Sequence, residues 1–391
     1  LGSEIAAKDI AVHNREAQAV WDAFHAGRPL RPPVFLGTAT QYFVLNDDLN
    51  PGRAVTFESY TTDARQMLEF QLRAAVWRAE HIAPYCDDPM GLPDEFTVKV
   101  DLQNFDEAAY FGAPVVYLPG QVPDTRPILA GDRKRALFDA GLPDPLTGGW
   151  YATAHRLCDE MAALIEAQPT YRDRPVELEP FGLYTMGPFT LAVALRGHEL
   201  LTDLYEDPGY VRELLSFLVE GTIARIGAHH RHFGLEFPAP DLFLADDSIQ
   251  LISTSMLAEF LLPVYRRLKA GLTTADRIKI HLCGDASRHF GLLKDELGVY
   301  DFETGFPIDF GQVREDLGPE VTLHGGPNVM LLRSGTPEEV RAETRRILES
   351  GVLHGGRFVL REGNNLAPHT PLVNLEAMYA EARRLAPASL S

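Results

Sequence analysis

The chain has 391 residues, with 36 Lys+Arg against 55 Asp+Glu and a formal net charge of −19. Phosphate binding needs clustered positive charge to displace counterions, so this balance argues against nucleic acid or an anionic membrane surface as partner. Hydrophobic residues at 45% and charged residues at 23% are ordinary for a globular chain and exclude disorder as the main state.

Membrane spanning needs an apolar run of ~20 residues, and none approaches that length. The N-terminus lacks the apolar core of a secretory signal, and Cys86, Cys158 and Cys283 are too few and scattered for a disulfide framework. A reducing cytoplasm is therefore the expected compartment.

In chain order, residues 1–30 read as a helical preface, with Ala17, Val20 and Phe24 on one side, before a single decorated body over 31–391. Short apolar strands are expected at Val34–Gly37, Val98–Leu102, Val176–Tyr184, Leu242–Ala245, Ile278–Cys283, Val299–Glu303, Val321–His324 and Arg357–Arg361. The Pro-, Gly- and Asp-rich stretch 118–175 reads as an insertion between units of that body. Asp207-Pro208 opens a helix, with Val211, Leu214, Leu215, Leu218, Ile223 and Ile226 inward and Gly234 as its left-handed stop. Thr336-Pro337-Glu338-Glu339 is a capping box, and Thr370-Pro371 opens the last helix. Strands alternating with helices imply parallel strands covered on the outside, and eight of them predict an α/β fold of the closed (β/α)₈ barrel type.

Barrel enzymes gather reactive groups at the C-terminal strand ends. Those ends carry Thr38 and Gln41, Tyr184 and Met186, Asp246 and Asp247, His281 and Cys283, Glu303, His324, and Glu362 with Asn364. On a strand His281 and Cys283 point the same way, and an imidazole beside a thiolate suits Zn²⁺. A small buried thiol beside a hydrogen-bonded histidine fits the same two residues. Paired Asp246 and Asp247 suit acid–base work or a cation, or one caps the next helix while the other is solvated. His229, His230 and His232 fall in the last helical turn, where positive charge complements the dipole. Cys158 reads as core, and Cys86 lies on a loop without an assigned role. The diglycines Gly325-Gly326 and Gly355-Gly356 invite a phosphate reading but lack the spacing of a nucleotide fingerprint, and close backbone approach explains them better.

Several ordered segments resemble the uroporphyrinogen decarboxylase superfamily: Gly187-Pro188-Phe189-Thr190, Phe260-Leu261-Leu262-Pro263-Val264-Tyr265, the run 335–340, and Leu366-Ala367-Pro368-His369-Thr370-Pro371 followed by Asn374-Leu375. The resemblance implies a (β/α)₈ barrel. True decarboxylases of this kind carry an arginine-rich first barrel loop for the substrate carboxylates, whereas 34–43 here holds no arginine. His281-Leu282-Cys283-Gly284 instead resembles the cobalamin-dependent methyltransferase branch, where this motif and a later cysteine bind zinc. That resemblance implies zinc at His281 and Cys283, a small methyl donor or acceptor, and methylcobalamin or a related corrinoid carried by a separate partner protein. Asn364 stands where that branch has its last cysteine, so Glu303, Glu362 or Asp246 is expected to complete the ligand set. In this reading Asp246, Asp247 and Glu303 tune or complete the metal shell, Tyr184 and His324 line the pocket, and Asn364, Gly325 and Gly326 border the cofactor. The competing expectations are a metal-independent decarboxylase or lyase on a small non-porphyrin substrate, and a non-catalytic corrinoid or ligand carrier.

Overall fold

The computed structural model describes residues 10–183 and 185–385. The strands that frame the site are β1 (Phe96–Val98), β2 (Arg174–Leu178), β3 (Phe243–Ala245), β4 (Ile278–Leu282), β5 (Val299–Thr304), β6 (Thr322–Gly325) and β7 (Phe358–Leu360). β3 to β7 form one parallel sheet in sequence order. Single parallel bridges extend it at both ends, Val34 to Leu360 and Thr185 to Leu244. β1 pairs with β2 in a second parallel sheet, with Thr170–Tyr171 antiparallel on its far side.

The continuous ring of eight strands expected from the sequence is not formed by the ladders among the described residues. At the first strand the reason is specific. One edge of Val34 faces Asp87 instead of a neighbouring strand: Val34 N donates to the Asp87 carboxylate (2.7 Å), and Asp87 N donates back to Val34 O (2.8 Å). A single residue thus satisfies the donor and acceptor that a neighbouring strand would have paired.

Alternation along the strands separates packing from chemistry. On β4, Ile278, Ile280 and Leu282 are buried, while Lys279 and His281 face the other side. On β5, Phe302 is fully buried against Phe290 (ring centroids 4.6 Å), leaving Asp301 and Glu303 on the opposite face. The apolar face packs on helices, and the polar face lines the interior.

Among the helices are α1 (Ile10–His25), α2 (Pro188–Arg196), α3 (Pro208–His232), α4 (Pro337–Leu348) and α5 (Leu372–Arg383). The caps of α3 and α4 follow the sequence rules. Asp207 accepts from Tyr210 N, Gly234 has φ of 67°, and Thr336 forms its capping box with Glu339. Within 118–175, Asp124–Thr125 pairs with Val115–Val116, and the helix Tyr151–Ala167 buries Ala154, Leu157 and Met161. Cys86 is fully buried beside Asp87, and Cys158 is partly buried against the core. No helix of the described residues is long and apolar enough to cross a membrane.

The histidine-rich end of α3 corrects the dipole reading at one position. His229 is buried between the Phe181 and Phe233 rings (both centroids at 4.7 Å), and burial pushes its pKa down to about 4. A neutral ring cannot complement the dipole. The unfolded chain protonates this residue near pH 6.5 and the native state only near 4, so stability falls as pH drops through that window. His229→Phe is expected to flatten that decline, measured as urea midpoints between pH 7 and 4.5.

Asp87 also binds Arg31 through both guanidinium nitrogens (2.7 and 2.5 Å), Tyr379 of α5 through its hydroxyl (3.0 Å), and Trp21 of α1 through its own carbonyl (3.0 Å). It fastens the first and last helices to the first strand. Asp87→Asn leaves Arg31 buried and underpaired, and should cost about 3–5 kcal/mol in urea denaturation.

Candidate metal centre

Register builds the site. Ala245, His281, Glu303, His324 and Val359 are successive cross-strand partners on β3 to β7, so they form one row at about 4.8 Å per strand. Cys283 follows two residues after His281 and shares its side of the chain. Asp247, just past β3, accepts from Cys283 N at 2.7 Å and so reaches the same place from the neighbouring loop. The ligand atoms of Asp247, His281 and Cys283 all lie within 4.8 Å of one another.

Glu303 orients the imidazole. His281 Nδ1 lies 2.9 Å from Glu303 Oε1, and His281 Nε2 lies 3.9 Å from Asp247 Oδ1. The Nδ1 partner leaves Nε2 for the side occupied by Asp247 and Cys283, the arrangement by which carboxylates fix a metal-binding histidine. Burial would lower the His281 pKa, but Glu303 and Asp247 outweigh it and raise it. Burial would raise Glu303, yet His281 and Arg361 hold it down at about 2. Burial and the adjacent Asp247 push the Cys283 thiol up to about 12.

One nitrogen, one sulfur and one carboxylate oxygen are a donor set that suits Zn²⁺. The set differs from the expected one at its third member. Glu303 holds His281 and Arg361 through the same oxygen, with Arg361 Nη1 at 2.7 Å, and Asp247 takes the place beside the thiol. Glu362 is fully buried on Gly37 N, and Asn364 accepts from the adjacent Asn365 N (2.9 Å). His324 lies one strand beyond Glu303, its Nε2 3.0 Å from Asp301. The expected pocket residue Tyr184 lies outside the described residues. Gly325 and Gly326 serve close packing: a Cβ on Gly325 would meet the Phe310 ring at 2.5 Å, and one on Gly326 the Arg361 carbonyl at 2.0 Å.

The two adjacent aspartates have opposite surroundings. Asp246 is fully buried and accepts from Phe189 N (3.1 Å), Thr190 N (2.7 Å), Thr190 Oγ1 (2.7 Å) and Tyr265 OH (2.7 Å). It ties the N-terminus of α2 to the end of β3, while burial lifts its pKa to about 6. Sequence reasoning missed Arg361 and Gly37. A Cβ on Gly37 would meet Glu362 Oε1 at 2.7 Å and Arg361 Nη2 at 2.9 Å, so the first strand approaches this pair with no room to spare. The only sequence signal for Arg361 was a cation two residues from Val359 on the interior side of the last strand.

Asp246→Ala strands three or more donors and should cost about 2–4 kcal/mol, whereas Asp247→Ala should stay within about 1 kcal/mol. Urea denaturation of the two variants checks this contrast, and equal losses would contradict it.

Residues 160–385, more than half of the chain, match the uroporphyrinogen decarboxylase (URO-D) family. A methylcobamide:CoM methyltransferase, MtbA of Methanosarcina mazei, is 24% identical over 201 residues, covering 51% of this chain and 56% of that protein. A methylated-thiol–coenzyme M methyltransferase of the same organism is 29% identical over 211 residues, covering 51% and 52%. The chain thus spans about half the length of these relatives. A solved methyltransferase from Methanosarcina mazei shares the fold over 93% of this chain and 96% of its own, with a TM-score of 0.62 at 18% identity. The architecture is accordingly of the TIM-barrel type, with the ladder interruptions described above. The match over more than half of the chain, carried on an architecture of the TIM-barrel type, places the chain in the uroporphyrinogen decarboxylase family, and the relatives it resembles are methyltransferases.

Proposed function

We propose that the chain is a methyltransferase that moves a methyl group between a small substrate and a corrinoid carried by a partner protein, with zinc held by Asp247, His281 and Cys283. The observation that carries this reading is the convergence of those three donor atoms within 4.8 Å at the C-terminal ends of β3 and β4. Zinc bound there would supply Lewis acidity, lowering the pKa of a thiol or similar acceptor so that it is nucleophilic at neutral pH.

The protein's own groups divide the remaining work. Glu303 holds His281 by Nδ1 and so selects the nitrogen that faces the ligand set. Asp247 fixes the Cys283 backbone, and a cation between its carboxylate and a deprotonated Cys283 thiolate would be matched by both. Asp246 anchors the strand end from which Asp247 projects, acting as a positioning residue. His324 extends the polar row one strand beyond Glu303 and would border the substrate, its ring held by Asp301 from two residues before Glu303 on β5.

The metal-independent decarboxylase reading calls for a cation free to hold a substrate carboxylate. Arg361, the arginine against Glu303, is already paired with Glu303 and Glu362 at 2.7 Å each, which favours the methyltransferase reading.

Elemental analysis of the purified protein should find about one zinc per chain. Cys283→Ser and Asp247→Ala should each weaken zinc binding at least about tenfold and reduce methyl transfer from methylcobalamin to a thiol in parallel. Full transfer activity in chelator-stripped protein would contradict the proposal.

A further inference from the structure

The ligand set is held from behind by a line of alternating charges that begins on the far side of the interior. Glu362 is fully buried, and both of its oxygens accept from Gly37 N at 3.1 Å. Arg361 Nη2 donates to Glu362 Oε1 at 2.7 Å, and Arg361 Nη1 lies 2.7 Å from Glu303 Oε1. That same Glu303 oxygen receives His281 Nδ1 at 2.9 Å. The guanidinium side chain is 7% exposed and lies 5.3 Å from the Phe35 ring. Two carboxylates are therefore bridged by one planar fork, a geometry that lysine's point charge cannot reproduce.

The consequence concerns which carboxylate reaches a metal. Glu303 and Asp247 both lie beside His281, on opposite sides of the ring. A carboxylate with no other partner at this distance would compete for the cation. Glu303 does not lack a partner, because Arg361 and His281 converge on one of its oxygens.

We propose that Arg361 is a positioning residue for the ligand set, holding Glu303 on His281 Nδ1 and out of the coordination shell so that Asp247 becomes the oxygen ligand. This role rests on the ligand set proposed above. It makes the join between the first and last strands, at Gly37 and Glu362, part of the metal site's support, although neither residue touches the donors.

The test is metal binding by the full chain, read without turnover. Zinc affinity is measured by competition with a chromophoric chelator, and Co²⁺ loaded in place of zinc reports the ligand field through its visible absorption. Arg361→Met should lose about 10–100-fold in zinc affinity and shift the Co²⁺ spectrum, as expected when the support of a metal-binding histidine is removed. Arg361→Lys, which restores charge but not the fork, should recover part of both. If Arg361→Met does not fold, the double variant Arg361→Met/Glu362→Gln removes one stranded carboxylate and should show the same loss. Wild-type affinity and an unchanged Co²⁺ spectrum in either folded methionine variant would overturn the role of Arg361 while leaving the ligand set standing. Failure of the wild-type chain to bind either metal would overturn the ligand set and this role together.

Discussion

A single carboxylate oxygen organises the centre of this protein. Glu303 Oε1 meets both an imidazole nitrogen and a guanidinium nitrogen, and neither contact is optional for the other. Without Arg361, a largely buried carboxylate would rest on His281 and, more distantly, on His324 alone for its compensating charge. Without His281, the arginine would pair with two carboxylates and orient nothing. The strand register makes the meeting possible, since β4 and β5 place His281 opposite Glu303 and leave both facing the interior.

The same economy of position separates the neighbouring aspartates after β3. One residue apart in sequence, they point to different worlds. Asp246 turns inward to four donors from α2 and Tyr265, where its job is structural. Asp247 turns toward Cys283 and His281, where burial and then the neighbouring carboxylate raise the thiol's pKa. A strand end anchored by Asp246 therefore presents Asp247 beside His281 and Cys283, the division of labour expected of a site built on rigid strands.

Local rules made part of this legible in advance. The caps at Asp207, Thr336 and Gly234 follow from backbone donors that need partners within three or four residues, and the sequence states them openly. His281 and Cys283 were legible because a two-residue strand spacing fixes their common side. What escaped depended on contacts distant in the chain. Asp87 pairs with Val34 and Tyr379, 53 and 292 residues away, and in doing so stands in for a strand edge that the apolar pattern had led one to expect. Arg361 reads as the polar end of a strand until Glu303 is seen beside it. His229 reads as a helix-terminal cation until Phe181 and Phe233 close over it. The carboxylates expected to complete the ligand set differ for a related reason: sequence does not reveal that Glu303, Glu362 and Asp246 already hold other partners, while Asp247 lies beside His281 and Cys283.

Zinc-edge X-ray absorption of the loaded protein tests the central claim most directly, because it counts sulfur ligands without reference to activity. Only Cys283 of the three cysteines lies in the site, so the fit should require one sulfur at about 2.3 Å with the remaining shell nitrogen and oxygen near 2.0–2.1 Å. A shell without sulfur, or one with two, would contradict the assignment of Asp247, His281 and Cys283 as the metal centre.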